Sequence, residues 1–133
     1  MPVAMSQENV RVVDRAYGAL TRSGLEAFAE HWAEDIEWRA MRGQWRGRKA
    51  GIAYLQEWLD LFSDFTTEPI ELIDAGGEQV ILHLRYRGRT KASGLEVPPE
   101  YFAIVMDVRD GKIARGREYA TRAEALEAVG LGE

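Results

Sequence analysis

The chain has 133 residues, 46% of them hydrophobic, and a formal net charge of −5 at pH 7. This length and composition predict one folded domain with a single core. The acidic charge argues against a nucleic-acid partner, because nucleic-acid-binding proteins usually carry an excess of basic residues. There is no cysteine, which excludes disulfides, thiolate nucleophiles and cysteine-based zinc sites. With His31 and His83 as the only histidines, we expect no metal site and no cofactor.

The two ends of the chain bear on its location and domain limits. The N-terminus has no basic segment followed by an apolar one, so it does not resemble a signal peptide. No apolar run approaches the roughly 18 residues of a membrane span. We therefore expect a cytoplasmic protein with no membrane partner. We expect it to consist of a flexible N-terminus, residues 1–5, and a single domain, residues 6–131.

The first half of the sequence predicts three helices. Ser6 is expected to cap a helix over 7–21, which Ser23-Gly24 then breaks. A short second helix would carry Leu25, Phe28 and Trp32. A strand over 36–41, a glycine-punctuated loop over 42–48 and a third helix over 49–62 follow.

The second half changes to a period of two, which is typical of strands. Pro69 suits an edge strand or a bulge. Asp110-Gly111 is a strong hairpin signal, and Thr121 with Glu124 forms a capping-box pattern that opens a short C-terminal helix. Strands are predicted over 65–75, 80–87, 101–109 and 112–119.

The order of the predicted elements indicates an α+β fold, since helices and hairpin-linked strands are segregated along the chain. A strongly curved, mostly antiparallel sheet would bury the apolar stripes of three N-terminal helices on its concave face. The sequence thus predicts helices packed on a curved sheet, with a short C-terminal helix at the end of the chain.

Several segments together resemble a known family, and the resemblance covers about residues 8–131. By it the chain is identified as a member of the SnoaL-like group in the nuclear transport factor two-like superfamily. The residues that carry it are Ala16-Tyr-Gly-Ala-Leu20, Trp32-Ala-Glu-Asp-Ile-Glu-Trp38, Trp45-Arg-Gly-Arg48, Asp110-Gly-Lys-Ile113 and Arg117-Glu-Tyr119.

The resemblance implies a cone-shaped fold with a cavity between sheet and helices for a small, mostly apolar molecule. It also implies a homodimer formed through the outer sheet face. It leaves the activity open, because the superfamily includes isomerases, dehydratases, epoxide hydrolases, polyketide cyclases and binding modules. The base of the steroid isomerases would fall at Ala40 and their protonated acid at Ile104, which argues against that chemistry. The base of limonene epoxide hydrolase lies in an Arg-Asp-Tyr sequence, which Arg117-Glu118-Tyr119 resembles.

Glu118 is the candidate catalytic residue. Strand alternation places it with the small residues Ala114, Gly116 and Ala120, which could leave room for a ligand. An apolar pocket would raise the pKa of its carboxyl group and make it a general base. The alternative is a glutamate paired with an arginine.

Candidate ligand-binding residues lie on the same predicted face. Tyrosines suit a cavity wall because each has an apolar body and one polar tip, although core packing is the favoured role of each. Two tryptophans and three aliphatic or thioether side chains would complete the wall. The set is Tyr17, Tyr54, Tyr86, Trp38, Trp58, Leu84, Ile104 and Met106.

The outer face is expected to be polar. His83 alternates with the buried side of its strand, and we interpret it as a surface or interface residue. The arginines of the sheet could form a phosphate-binding surface, but cross-strand ion pairs are favoured: Arg85, Arg87, Arg89, Arg115 and Arg117. Two hypotheses remain: an acid/base enzyme (an isomerase, cyclase or hydrolase) that uses Glu118, and a non-catalytic module for hydrophobic-ligand binding or dimerisation.

Overall fold

The computed structural model describes residues 3–132, and the side chains at 7–96 and 100–132. The fold is a cone-shaped α+β fold in which helices pack on a curved sheet. Its elements, in chain order, are α1 (Val3–Ser23), α2 (Leu25–Ala29), β1 (Trp32–Ala40), β2 (Gly43–Arg46), α3 (Arg48–Leu59), β3 (Phe62–Asp74), β4 (Gln79–Thr90), β5 (Glu96–Arg109), β6 (Lys112–Tyr119) and α4 (Arg122–Ala128).

Six strands form one sheet in the order β2-β1-β6-β5-β4-β3. All neighbours are antiparallel except β1 and β6, which run parallel. This places the first long strand beside the last one, so residues about 80 positions apart in sequence become neighbours. Asp110 and Gly111 both adopt positive φ, 53° and 76°, as the two-residue hairpin between β5 and β6 requires.

The main core lies between the concave face of the sheet and the first three helices. Helix α1 contributes Val13, Ala16 and Tyr17, and α2 contributes Phe28. The sheet faces them with one side of β1, β4, β5 and β6: Ile36, Trp38, Val80, Leu82, Leu84, Ile104, Met106, Val108 and Ile113.

Helix α4 packs on the opposite, outer face of the sheet. Its Ala125 joins Ile81, Ala103 and Val105 in a second buried cluster. Thr121 accepts a hydrogen bond from the backbone N–H of Glu124, and the Glu124 carboxylate accepts one from the backbone N–H of Thr121, so the predicted capping box is confirmed. The helix explains why Ile81, which alternates with the inward Val80 and Leu82, is fully buried on the outer face.

Several predicted elements are confirmed and others are wrong. Strand β6 has the predicted bounds, and Pro69 lies on an edge strand beside a register shift. Helix α1 begins at Val3, so Ser6 lies inside the helix and is not its N-cap. Trp32 begins β1 instead of ending α2, because the helix stops at Ala29.

The predicted loop over 42–48 is also wrong, since it contains β2, which forms a hairpin with β1. Helix α3 ends at Leu59, earlier than predicted, and β3 begins at Phe62. In the part of the chain that the structure describes, no helix combines the length and the apolar character needed to cross a membrane.

Candidate active site

A small cavity of about 80 Å³ lies between the concave face of the sheet and helices α1 to α3. Its lining is almost entirely apolar and aromatic, with Tyr17, Thr67 and Glu118 as the residues that bring a hydroxyl or carboxyl group. The lining residues are Tyr17, Leu20, Leu25, Phe28, Trp32, Trp38, Trp45, Leu55, Trp58, Leu59, Phe65, Thr67, Leu84, Phe102, Ile104 and Glu118.

Strand β6 presents Glu118 to this cavity. Glu118 is the register partner of Ile104 on β5, whose side chain is buried on the concave face. Trp38 donates a hydrogen bond from its indole Nε1–H to Glu118 Oε2 (2.8 Å), and the backbone N–H of Met41 donates one to Oε1 (3.3 Å). Among the described residues Glu118 has no arginine or lysine partner.

This environment changes the acidity of the carboxyl group. Removal from water raises the pKa of Glu118, and the hydrogen bonds from Trp38 and Met41 oppose that rise because they stabilise the carboxylate. The net direction is upward, since both donors are neutral and neither compensates a full negative charge. A carboxylate that holds its proton more tightly than usual is also a stronger base.

Trp38 fixes the shape of the cavity at this end. Its register partner on β6 is Gly116, and a Cβ at Gly116 would lie 2.3 Å from the Trp38 ring. The glycine thus makes room for the indole, which stacks on Trp45 with ring centroids 5.6 Å apart. The expectation that Gly116 leaves space for a ligand is wrong, because Trp38 fills that space.

The other two small neighbours do not open the cavity either. Ala114 falls at a register shift between β5 and β6, where Ile113 is the inward residue. Ala120 lies beyond the end of β6 and is exposed. The bulge breaks the alternation on which the predicted face depended.

The three candidate tyrosines lie at different depths. Tyr17 lines the cavity, and its pKa is raised strongly, first by burial and then by the negative charge of Glu118. Tyr54 and Tyr86 do not line the cavity. Burial and the charge of Glu118 raise the pKa of Tyr54, and the Tyr86 hydroxyl donates to Glu100 (3.4 Å).

Of the remaining candidates, Trp38, Trp58, Leu84 and Ile104 line the cavity, whereas Met106 does not. Met106 is fully buried in the core, where its register partners are Val80 and Gly116. The structure therefore brings six of the nine predicted site residues to one cavity and leaves Tyr54, Tyr86 and Met106 outside its lining.

Two lining residues that the sequence analysis did not single out are Trp32 and Trp45. Both indole N–H groups are buried and have no acceptor among the described residues. The sequence does not indicate that Trp45 is buried, because three of the four residues of β2 are exposed and the segment has the composition of a loop. The described residues contain no group of three or more metal-ligating side chains.

Comparison with known proteins agrees with this architecture. The fold is that of a cone-shaped α+β protein with an internal cavity. The sequence model of one protein family, the SnoaL-like domain, matches residues 13–116. Because this match spans most of the sequence, the chain belongs to the SnoaL-like domain family. No curated protein matches the chain in sequence.

Solved structures share the fold. An NTF2-like protein from Burkholderia xenovorans LB400 is similar at 28% identity, with a TM-score of 0.70 over 93% of this chain and 97% of that one. An NTF2-like protein of unknown function from Burkholderia pseudomallei K96243 has 19% identity and a TM-score of 0.75, covering 92% and 98%. A protein from Jannaschia sp. CCS1, proposed to be a SnoaL-like polyketide cyclase, has 15% identity and a TM-score of 0.74, covering 96% and 94%.

Proposed function

We propose that the protein binds a small, mostly apolar molecule in the inner cavity and uses Glu118 as a general base on it. The observation that carries the proposal is a carboxylate in an apolar cavity, held by neutral donors, with a raised pKa. Titratable groups perturbed by burial inside a cavity are typical of functional sites.

Glu118 has the capacity to accept a proton from a bound molecule. A carboxylate offers about four lone-pair positions, and the hydrogen bonds from Trp38 and Met41 use two of them. The indole N–H also holds the carboxylate in place. Removal of a proton next to a carbonyl group, or from a water molecule, is the first step shared by isomerisation, cyclisation and hydrolysis.

Tyr17 is the proposed hydrogen-bond donor. It lines the same cavity, and its phenol is protonated at physiological pH, as an ordinary tyrosine is, with burial raising the pKa further. A protonated phenol can donate to an oxygen on which negative charge develops after proton removal. The structural similarity to a protein proposed to be a polyketide cyclase favours a polyketide fragment as the substrate.

The cavity volume limits the ligand. Ligand sites usually measure about 300–1,000 Å³, and an apolar cavity of about 150 Å³ holds benzene. At about 80 Å³ the cavity must widen before a ring-sized molecule enters. Such widening could also expose the unpaired N–H groups of Trp32 and Trp45 to oxygen atoms of the ligand.

A thermal-shift screen against terpenoids, steroids and polyketide fragments tests ligand binding, since a ligand of the folded state raises its apparent stability. With a ligand identified, Glu118→Gln should keep binding and lose turnover by about 10²–10⁴-fold. Glu26→Gln, on the exposed side of α2, is the matched control and should retain turnover. Unchanged turnover in Glu118→Gln would rule out the base.

The second candidate is a non-catalytic module that binds a hydrophobic ligand or dimerises. The small number of hydroxyl and carboxyl groups at the cavity favours it. A ligand that stabilises the protein and is recovered unchanged after incubation would support this module over the enzyme. We also propose a cytoplasmic homodimer that associates through the outer face of the sheet, for which light scattering gives the mass in solution.

A further inference from the structure

Two neighbouring rows of side chains cross the outer face of the sheet at β2, β1 and β6, and their charges are compensated differently. In the first row the register partners are Arg46, Glu37, Arg115 and Asp107, so the charges alternate in sign. Arg46 pairs with Glu37, and Arg115 pairs with the buried Asp107 at 2.9 Å. Each charge in this row has an opposite neighbour.

The second row contains two arginines side by side. Arg39 on β1 is the register partner of Arg117 on β6, flanked by Gln44 on β2 and Val105 on β5. Among the residues with described side chains, neither arginine forms an ion pair. Like charges on adjacent strands repel, so this arrangement is unfavourable without a bound anion.

A cleft of about 450 Å³ lies over both rows. Its volume falls within the usual range for small-molecule sites. Arg39, Arg46, Arg115, Arg117 and Glu37 supply its charged side chains, so the cleft has a strong excess of positive charge. The Nε–H of Arg117 is also buried without an acceptor among the described residues.

We infer that this cleft binds the phosphate group of a small molecule, with Arg39 and Arg117 as its principal ligands. Guanidinium groups have a planar fork of donors that matches phosphate oxygens. Two adjacent guanidinium charges suit a dianion better than they suit a single carboxylate. The cleft opens on the outer face of the sheet, whereas Glu118 faces the inner cavity, so the two sites are separate.

Isothermal titration with sodium phosphate, at ionic strength held constant with sodium chloride, tests the inference. The wild-type chain should bind one phosphate per chain, and phosphate should raise the melting temperature more than chloride does. The double variant Arg39→Gln/Arg117→Gln should bind phosphate about tenfold more weakly or worse. Arg87→Gln removes an arginine of β4 outside the cleft and should bind normally.

Melting in chloride alone separates the inference from a structural role of the arginines. The double variant should melt at or above the wild-type temperature, because its substitutions remove repulsion and no ion pair among the described residues. A lower melting temperature would contradict the inference. Absence of phosphate binding by the wild type, or equal weakening in Arg87→Gln, would also overturn it.

Light scattering provides the last discrimination. The phosphate site requires that the proposed homodimer leaves this cleft open. If acidic groups of a second copy occupied the cleft instead, the double substitution would dissociate the dimer and phosphate would compete with dimer formation. That result would overturn the small-molecule site. Phosphate binding without a change in mass would support it.

Discussion

Arg117 and Glu118 are consecutive residues of β6, yet they occupy opposite environments. Glu118 faces an apolar cavity and takes hydrogen bonds from neutral donors, whereas Arg117 faces the outer cleft beside a second arginine. Successive side chains of a strand point to opposite faces, so these opposite charges cannot pair with each other. The sheet thus separates two charges that would neutralise each other on a flexible chain.

The negative charge of Glu118 and the paired positive charges of Arg39 and Arg117 are unfavourable for different physical reasons. The charged carboxylate form of Glu118 is destabilised by loss of water, which raises the pKa of the group. Arg39 is exposed to water and Arg117 is partly exposed. The unfavourable contribution to their free energy is the repulsion between the two positive charges. A ligand would relieve the first by donating a proton to the carboxylate and the second by supplying negative charge.

The largest expected effect concerns the inner region. Trp38→Ala should lower the free energy of unfolding by about 3–5 kcal/mol, because it removes a buried indole that stacks on Trp45. Chemical denaturation measures the change. Trp38→Phe keeps an aromatic ring and removes the donor to Glu118, so its effect should be smaller. Equal losses in both variants would contradict the packing role.

An intermediate effect distinguishes the two outer rows. Arg115→Gln should lower the free energy of unfolding by about 1–3 kcal/mol, because it leaves the buried carboxylate of Asp107 without its cation. Arg117→Gln should raise it by about 0.2–1 kcal/mol in chloride, because it removes repulsion with Arg39. The comparison fails if both substitutions destabilise the chain equally.

A pH dependence should sharpen the contrast further. The pKa of Glu118 is higher in the folded than in the unfolded chain, so its stabilising contribution is complete below the unfolded pKa and is lost as pH rises through the folded pKa. Glu118→Gln should therefore gain stability relative to the wild type as pH increases from acid to neutral. Denaturation at several pH values checks this, and a constant difference would exclude it.

The sequence predicts the fold well where local patterns are strong. The turn at Asp110-Gly111 fixes the β5–β6 hairpin, and beyond the bulge at Ala114 the alternation from Gly116 to Glu118 keeps both residues on the concave face. Periodicity assigns Trp32 to the wrong element. Its spacing of four residues from Phe28 also fits a helix, whereas the residue begins β1. Periodicity fails for β2 because Trp45 is the single buried residue of that short strand.

The details of the cavity depend on contacts between distant segments. The pairing of β1 with β6 brings the Trp38 indole over Gly116 and beside Glu118, about 80 positions along the chain. The bulge at Ala114 changes which small residues face inward. The adjacent arginines of the outer row likewise result from the β1–β6 register, since Arg39 and Arg117 are far apart in sequence.

Glu118 is a partly buried carboxyl group that no cation among the described residues stabilises. A carbon-13 NMR titration of the side-chain carboxyl groups tests it most directly, with Glu118→Gln assigning the resonance. The pKa of Glu118 should lie above the ordinary glutamate value of about 4.3 and should rise further in Trp38→Phe, which removes a donor to the carboxylate. A pKa at or below the ordinary value would contradict the account.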